Sequence, residues 1–321
     1  MCRRSGILSM LIAGCLLISL AGCGPKARVL LNFTPDDVTT YKISTATIKD
    51  FRFEQPSLTP PKLKEEQSGT TIDVTFDQKI EEVQEDGSAV ATITIKEVAY
   101  LVKEKNEVRF DFDSTREADK GRGFAKVIGQ SYKIRIAPDG KVTVVDAKDV
   151  AGLNIAGHEG QLAKAFFSEK QICERHQVPA LPSGGKDMLG RRSSWSTLVA
   201  SPRGLLEPKS FRKTYTIDKV EGPKANRVVT VSMNAQESAE AADPPPDKNA
   251  GMGRLANMFD TKETYTGKLV LEMGTGRIRQ FEEKLVATYL AAEDPAEGPS
   301  DKGPDTLMMG FTFSVSMQLV D

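Results

Sequence analysis

The sequence predicts a mainly β protein of the α+β class. Antiparallel strands are expected to form one or two curved sheets or a half-barrel, with a central helix packed on the concave face. Three observations predict this fold. Apolar and polar residues alternate with a period of two along several segments, turn sequences lie between those segments, and one stretch has helical spacing.

Strict alternation marks the clearest strands, because successive side chains of a strand point to opposite faces of a sheet. Residues 108–113, 132–136 and 311–319 each place apolar side chains at every second position, with polar or charged residues between them. In 91–102 the same alternation changes phase near Glu97. A change of phase inside a strand predicts a β-bulge.

Turn sequences join the predicted strands. Asp86-Gly87 and Pro138-Asp139-Gly140 are typical of hairpin turns, and Gly274-Thr275-Gly276 is a looser turn. Such short connections predict antiparallel neighbours.

The order of strands and turns is repeated along the chain. Residues 79–95 resemble 215–233, and 129–145 resemble 267–281, at a separation of about 135–140 residues. This repetition predicts a two-fold internal duplication. The alternative is that meandering hairpins share this appearance without being related.

One segment is predicted to be helical. Its apolar positions recur every three or four residues and are interrupted only by Glu169: Leu162, Ala165, Phe166, Ile172 and Cys173. The helix is expected to end before Pro179, whose ring and missing N–H cannot continue it. The apolar stripe requires an apolar partner, and the inner face of the sheet is the obvious one.

The N-terminus has the layout of a secretory signal. Arg3 and Arg4 precede an uncharged run over 7–20, which ends in Leu20-Ala21-Gly22-Cys23. The run is too short for a membrane-spanning helix. The ending resembles the lipobox of bacterial lipoproteins, and this resemblance implies cleavage between Gly22 and Cys23 and acylation of Cys23. A second match ends at Cys15, but it leaves too short an apolar run before the cut.

This resemblance predicts how the chain is divided into segments and where the protein is located. We expect a signal peptide over 1–22, a lipidated tether over 23–27, a β-rich half over 28–147, a helix and basic loop over 148–194, and a second β-rich half over 195–321. The expected location is the periplasmic side of the cell envelope. Gly24 favours the outer membrane, because Asp at that position resembles an inner-membrane retention signal. Cys173 is then left without a disulfide partner.

Few residues indicate chemistry. The formal net charge of −1, without a basic patch, argues against a nucleic-acid partner. His158-Glu159 opens like a zinc-protease motif, but Leu162 stands where the second ligand is required. Cys173 and His176 suggest a thiol beside a base. The favoured interpretation is an ordinary buried Cys and a helix-end His.

Two other features have an ordinary explanation. Asp111 and Asp113 share a strand face with Arg109, and paired carboxylates can bind metal or transfer protons. A solvated strand face is favoured, because the segment lacks the Gly and Glu of a calcium loop. Gly121-Arg122-Gly123 lacks the third Gly of a nucleotide fingerprint. Trp195, the only tryptophan, is either a ligand platform or, as favoured, a core anchor.

The body resembles an uncharacterised family of bacterial envelope lipoproteins, a domain of unknown function. The resemblance covers most of 75–290. It rests on the predicted helix and on five segments: Ile128-Gly129, Pro138-Asp139-Gly140-Lys141-Val142, Leu181-Pro182, Trp195 and Gly267-Lys268-Leu269. Ser193-Ser194 stand where the family tends to have Gly-Asp. The family implies no activity and no functional residues.

We therefore expect a lipid-anchored, non-enzymatic envelope protein that binds an apolar ligand, such as a lipid, or an envelope partner protein. We expect no catalytic residue, metal or cofactor. The alternative is a structural module that contacts the cell wall or a protein, and an envelope enzyme is the third hypothesis. An apolar inner cavity favours the first, and a filled core favours the second. A cleft that joins His158 or His176 to Asp111 and Asp113 favours the enzyme.

Overall fold

The computed structural model describes residues 25–183, 188–223, 226–246, 251–293 and 303–320. The predicted signal peptide, Gly22 and Cys23 lie outside the described residues. The strands are β1 (Lys26–Ala27), β2 (Val38–Gln55), β3 (Lys62–Val83), β4 (Ala89–Glu104), β5 (Glu107–Asp113), β6 (Ser131–Ile136), β7 (Val142–Asp146), β8 (Leu189–Gly190), β9 (Ser194–Ala200), β10 (Ser210–Glu221), β11 (Val228–Ser238), β12 (Asp260–Glu272), β13 (Arg277–Ala292) and β14 (Thr306–Val320). The α-helices are α1 (Lys148–Ala151), α2 (Gly157–Phe166) and α3 (Glu169–His176).

Twelve of the described strands form one open antiparallel sheet. Its order is β7-β6-β4-β3-β2-β14-β13-β12-β11-β10-β9, and β5 pairs with β4 beside β6. The remaining strands, β1 and β8, pair with each other. The mainly β, antiparallel class predicted from the alternation is confirmed.

The turns and the bulge follow the sequence signals. Thr75 lies opposite Glu97 and Phe76 opposite Ile95, so Lys96 is the extra residue of a β-bulge, as the change of phase predicts. Gly87 has a φ of +82° in the β3–β4 turn. Glycine adopts this left-handed conformation without the steric cost that a Cβ imposes.

The predicted single helix is wrong in one respect, because the segment forms two helices. Helix α2 ends at Phe166, and α3 begins at Glu169. The Ser168 hydroxyl accepts the Gln171 N–H and caps the new helix, which explains the break. Helix α3 ends at His176, before Pro179 as expected.

The sheet has two faces of different chemistry. The inner face carries the buried side chains of every long strand, such as Ile43, Val74, Leu269 and Phe281. Helices α2 and α3 bury Phe166 and Ile172 in the same core. The opposite, outer face is rich in Thr and Ser. In the described ranges no helix is long and apolar enough to cross a membrane.

Candidate functional site

The middle of the inner face is less buried than its two sides. Seven residues in two cross-strand rows of β14, β2, β3 and β4 are only partly buried, and we call them the central strip: Thr45, Thr47, Thr70, Ile72, Val102, Phe313 and Val315. The same rows continue into buried Tyr100 on one side and buried Leu285 on the other. The core is therefore covered in both halves and partly open between them.

Buried groups border the central strip. On the β5 side, the ring of Phe124 lies 5.7 Å from that of Tyr100, 5.4 Å from Phe110 and 5.1 Å from Phe112. Above the strip, Phe311 is buried where Gly204 approaches the sheet. A Cβ on Gly204 would lie 2.5 Å from the Phe311 ring, so the loop around Gly204 covers Phe311 at that border.

A shallow pocket of about 230 Å³ opens at the strip, and apolar, hydroxyl and cationic groups line it: Thr47, Lys49, Ser68, Gly69, Thr70, Val102 and Lys103. In the part of the chain that the structure describes, neither Lys49 nor Lys103 forms a salt bridge. Apolar surface, hydroxyls and the unpaired ammonium group of Lys49 together suit an amphiphile with an apolar chain and an anionic head.

A buried polar cluster lies beside the strip in the second half. Lys213 Nζ is 2.6 Å from Glu283 Oε2, and both side chains are about 5% exposed. Tyr265 donates to Glu283 Oε2 at 3.2 Å, and Tyr215 donates to Oε1 at 3.4 Å. Burial, together with the charge of Glu283, raises the pKa of both phenols. The tyrosines therefore remain hydrogen-bond donors to the carboxylate.

Small neighbours make room for this cluster. Gly267 lies directly opposite Glu283, and a Cβ there would be 3.3 Å from Glu283 Cγ and 3.0 Å from Met233 Cε. Ala235 lies directly opposite Lys213 in the same way. The pair was not predicted from the sequence. A signal was available, because Lys213 and Glu283 occupy inward positions of alternating strands.

His176 lies in a separate buried site under the first half. Tyr132 Oη is 2.6 Å from His176 Nε2 and accepts from Arg175 at 3.1 Å. The phenol proton is therefore directed at Nε2. Burial and the charge of Arg175 hold the pKa of His176 well below 6.5. Burial also raises the pKa of the Cys173 thiol, which opposes thiolate formation and favours the ordinary interpretation of this pair.

His158 and Glu159 have structural contacts. Glu159 accepts the Phe124 N–H at 2.9 Å and lies 2.8 Å from Arg122. It thereby caps the 3₁₀ turn over 123–127 and ties α2 to it. His158 is exposed, with its ring edge against Phe110. Arg122, which lies between Gly121 and Gly123, is the cation of this ion pair.

The candidate carboxylates also have nearby partners. Arg116 binds Asp111 at 2.7 Å, and Asp113 accepts from the Thr115 hydroxyl at 2.7 Å. Arg109 pairs with Glu104 and Glu107. Asp111 and Asp113 line a shallow pocket of about 170 Å³, which neither His158 nor His176 lines: Thr71, Asp73, Ala99, Tyr100, Leu101, Asp111, Phe112, Asp113 and Arg116. In the described ranges no three metal-ligating side chains come together.

Trp195 packs as a core anchor would. Its ring stacks on Tyr215 with centroids 5.7 Å apart and planes 15° apart. The two residues are direct neighbours on β9 and β10. The indole N–H is buried with no acceptor among the described residues.

Fold and site together define a mainly β protein with one open antiparallel sheet and a partly exposed apolar strip on its inner face. No family model and no curated protein matches the chain. Among solved structures it is similar to a lipovitellin chain, from a study of lipid–protein interactions in that protein. The alignment has 9% identity and a TM-score of 0.41, and it covers 90% of this chain. The present chain spans about a quarter of that chain's length.

Proposed function

We propose that this protein is a lipid-anchored, non-enzymatic binding protein of the bacterial cell envelope, held on the periplasmic side of the outer membrane by acylated Cys23. The central strip holds the apolar chain of a ligand that carries an anionic head. One observation carries this proposal: Ile72, Phe313 and Val315 on the inner face are only partly buried, although the cross-strand rows that contain them continue into buried Tyr100 and Leu285.

The strip has the dimensions and chemistry for one extended chain. It crosses β14, β2, β3 and β4, a width of about 14 Å at about 4.8 Å per strand. Each methylene that leaves water contributes about 0.8 kcal/mol. Lys49, at the pocket beside the strip and on the same strand face as Thr47, would pair with the anionic head.

We propose in addition that the sheet is curved into a half-barrel. Strands β6 and β13 are five positions apart, which is about 24 Å in a flat sheet. Leu31 and Asn32, which are neighbours in the chain, nevertheless contact the β6–β7 turn and the β12–β13 turn, respectively. The Leu31 N–H donates to the Pro138 carbonyl at 2.9 Å, and a Cβ on Gly276 would overlap the backbone of Asn32. Such contacts support a cup whose narrow end is closed by the N-terminal segment.

We also propose that the two β-rich halves arose by duplication, and matching bulges support this. Besides Lys96, the β3–β4 pair has a second extra residue, Glu81, and the β10–β11 pair has Asp218, 137 positions after Glu81. The extra residues of the β6–β7 and β12–β13 pairs are Val145 and Arg279, 134 positions apart. Bulges are specific local features that persist within families.

The turns that precede β2 and β9, at the start of each half, match as well. Asp36 donates its N–H to the Ile80 carbonyl, and Arg192 donates its N–H to the Ile217 carbonyl, at 2.8 Å in both cases. Asp36 has a φ of 63° and Arg192 a φ of 71°, a conformation that non-glycine residues seldom adopt. The same uncommon turn therefore precedes the corresponding hairpin in each half.

A second candidate function is a module that contacts an envelope partner protein. The open, shallow form of the pocket favours it, because small-molecule sites are usually more enclosed. A partner would cover the strip with an apolar segment instead of an acyl chain.

The ligand proposal is tested with an inward substitution and an outward control. Thr47→Phe places a ring on the strip, and Thr312→Phe places the same ring on the outer face of the neighbouring strand β14. Binding of a fluorescent fatty acid to the mature chain with Cys23→Ser is titrated for each variant. We expect at least tenfold weaker binding for Thr47→Phe and unchanged binding for Thr312→Phe. No measurable binding to the parent chain would contradict the proposal and favour the partner-binding module.

A further inference from the structure

The chain enters the fold at one corner of the molecule, beside a group of exposed basic residues. We call this the anchor corner and define it by four cations: Lys26, Arg28, Arg191 and Arg192. We propose that the anchor corner binds the headgroups of anionic phospholipids and fixes the body against the membrane. The inference rests on the proposed lipid anchor and adds a second, electrostatic contact.

The tether between lipid and body is very short. Only Gly24 and Pro25 separate Cys23 from β1, which begins at Lys26. The three residue steps from Cys23 to Lys26 span at most about 11 Å. An acylated Cys23 therefore holds the anchor corner within reach of the headgroups, with no linker in which the body can rotate away.

Contacts fasten the end of the tether to the body. Lys26 pairs with Gly190 in the β1–β8 ladder, and the Arg227 guanidinium donates to the Lys26 carbonyl. Ala27 and Val29 are buried, so the intervening Arg28 and the preceding Lys26 point outward. The direction in which the chain leaves the body is therefore defined by the fold.

The charge at the anchor corner is not neutralised. Arg191 and Arg192 are exposed in the turn that follows β8. Among the described residues, none of the four cations has a carboxylate within salt-bridge distance. Two arginines close by are neutralised, because Arg277 pairs with Asp37 and Arg279 pairs with Glu272. The corner thus presents four unpaired cations beside the lipidation site.

Unpaired cations near an anionic bilayer strengthen binding. Each contributes about fivefold in affinity at the membrane surface. The attraction falls off over about one Debye length, which added salt shortens. The permanent attachment comes from the acyl chains, since two or more of them hold firmly. The cations would set the orientation of the body, with the opposite ends of the long strands facing away from the membrane.

Vesicle binding tests the proposal without the anchor. The mature chain with Cys23→Ser is sedimented with vesicles of phosphatidylcholine, with or without phosphatidylglycerol. Two double variants, Lys26→Gln/Arg28→Gln and Arg191→Gln/Arg192→Gln, remove charge from the corner. The control, Lys62→Gln/Lys105→Gln, removes two exposed cations that lie outside the anchor corner. Lys62 is the first residue of β3, and Lys105 lies in the β4–β5 turn.

We expect binding only to the anionic vesicles, weakened by added salt. Each corner variant should bind about 30-fold more weakly, and the control should bind like the parent. Equal binding to both vesicle types, or equal losses in the control and the corner variants, would overturn the proposal. Acylation of Cys23 is measured in a separate experiment, by fatty-acid labelling of the wild-type chain. An unlabelled Cys23 would therefore refute the anchor while the vesicle result still decides whether the corner binds anionic lipid.

Discussion

The Glu283 carboxylate and the Lys213 ammonium meet at 2.6 Å on the inner face, although β11 and β12 separate their strands. Gly267 opposite Glu283 and Ala235 opposite Lys213 leave the space that the two long side chains cross. Tyr265 also donates to the same carboxylate. With Tyr215, the Glu283 carboxylate therefore has three donors where the pair is shielded from water, which offsets part of the cost of burying two charges.

Removal of one charge from this pair should be costly. Lys213→Met leaves the Glu283 carboxylate buried without its counter-ion, and we expect the free energy of unfolding to fall by about 3–5 kcal/mol. Lys64→Met is the control, because Lys64 pairs with Glu66 at 2.9 Å on an exposed surface. Its loss should be below about 1 kcal/mol. Urea denaturation measures both, and equal small losses would contradict the account of the pair.

Gly267 should resist substitution by alanine. A Cβ there would lie 2.7 Å from the Glu282 backbone oxygen and would also crowd Met233. We expect Gly267→Ala to lower the free energy of unfolding by about 1–3 kcal/mol. Gly310→Ala, in the middle of β14, is the matched control, since its closest neighbours are side-chain atoms of Asp50 at 3.3 Å or more. Thermal denaturation should show the larger decrease in stability for Gly267→Ala. A larger decrease for Gly310→Ala would be evidence against the close packing of the Lys213–Glu283 pair over Gly267.

His176 should make stability depend on pH. Its pKa in the folded chain lies well below 6.5, because of burial and the neighbouring charge of Arg175. Between that low pKa and 6.5 the unfolded chain binds a proton that the folded chain does not. The free energy of unfolding therefore falls as the pH decreases through this range, and His176 has no such effect above it.

The comparison of two histidine variants isolates this effect. His176→Gln should flatten the decrease in stability below pH 6.5. His158→Gln, at an exposed position, should leave the decrease as it is in the parent chain. Chemical denaturation between pH 5 and pH 8 gives the two profiles. Parallel profiles for His176→Gln and the parent chain would show that the buried imidazole is not responsible.

Acylation should depend on Cys23 and not on Cys15. Cleavage before Cys23 removes Cys15 with the signal peptide, so Cys15→Ser should leave labelling by a radioactive or clickable fatty acid unchanged. Cys23→Ser should abolish the label and release the body from the membrane fraction. Labelling that survives Cys23→Ser but not Cys15→Ser would move the cleavage site to the earlier match.

Local signals predicted most of the strands, because alternation and turn glycines act within a few residues. The bulge at Lys96 and the turn at Gly87 follow directly from such signals. The break at Ser168 could not be predicted from the apolar stripe, because the stripe continues through it. The break depends on the single hydrogen bond that the Gln171 N–H donates to the Ser168 hydroxyl. Here a local hydrogen bond overrides a favourable periodicity.

Contacts between distant parts of the chain were beyond this kind of prediction. The Lys213–Glu283 pair joins residues 70 positions apart, and the sequence shows only that each occupies an inward position. The central strip depends on which parts of the inner face the helices and loops leave uncovered. Alternation identifies the apolar face of Phe313 and Val315, but coverage is decided by tertiary packing.

The most direct test of the proposed function is native mass spectrometry of the mature chain with Cys23→Ser, purified from the envelope of its own host. The account predicts a discrete added mass that extracts into organic solvent. That mass should be lost from Thr47→Phe and retained by Thr312→Phe. A bare mass for the parent chain would contradict the proposal that the central strip holds an apolar ligand.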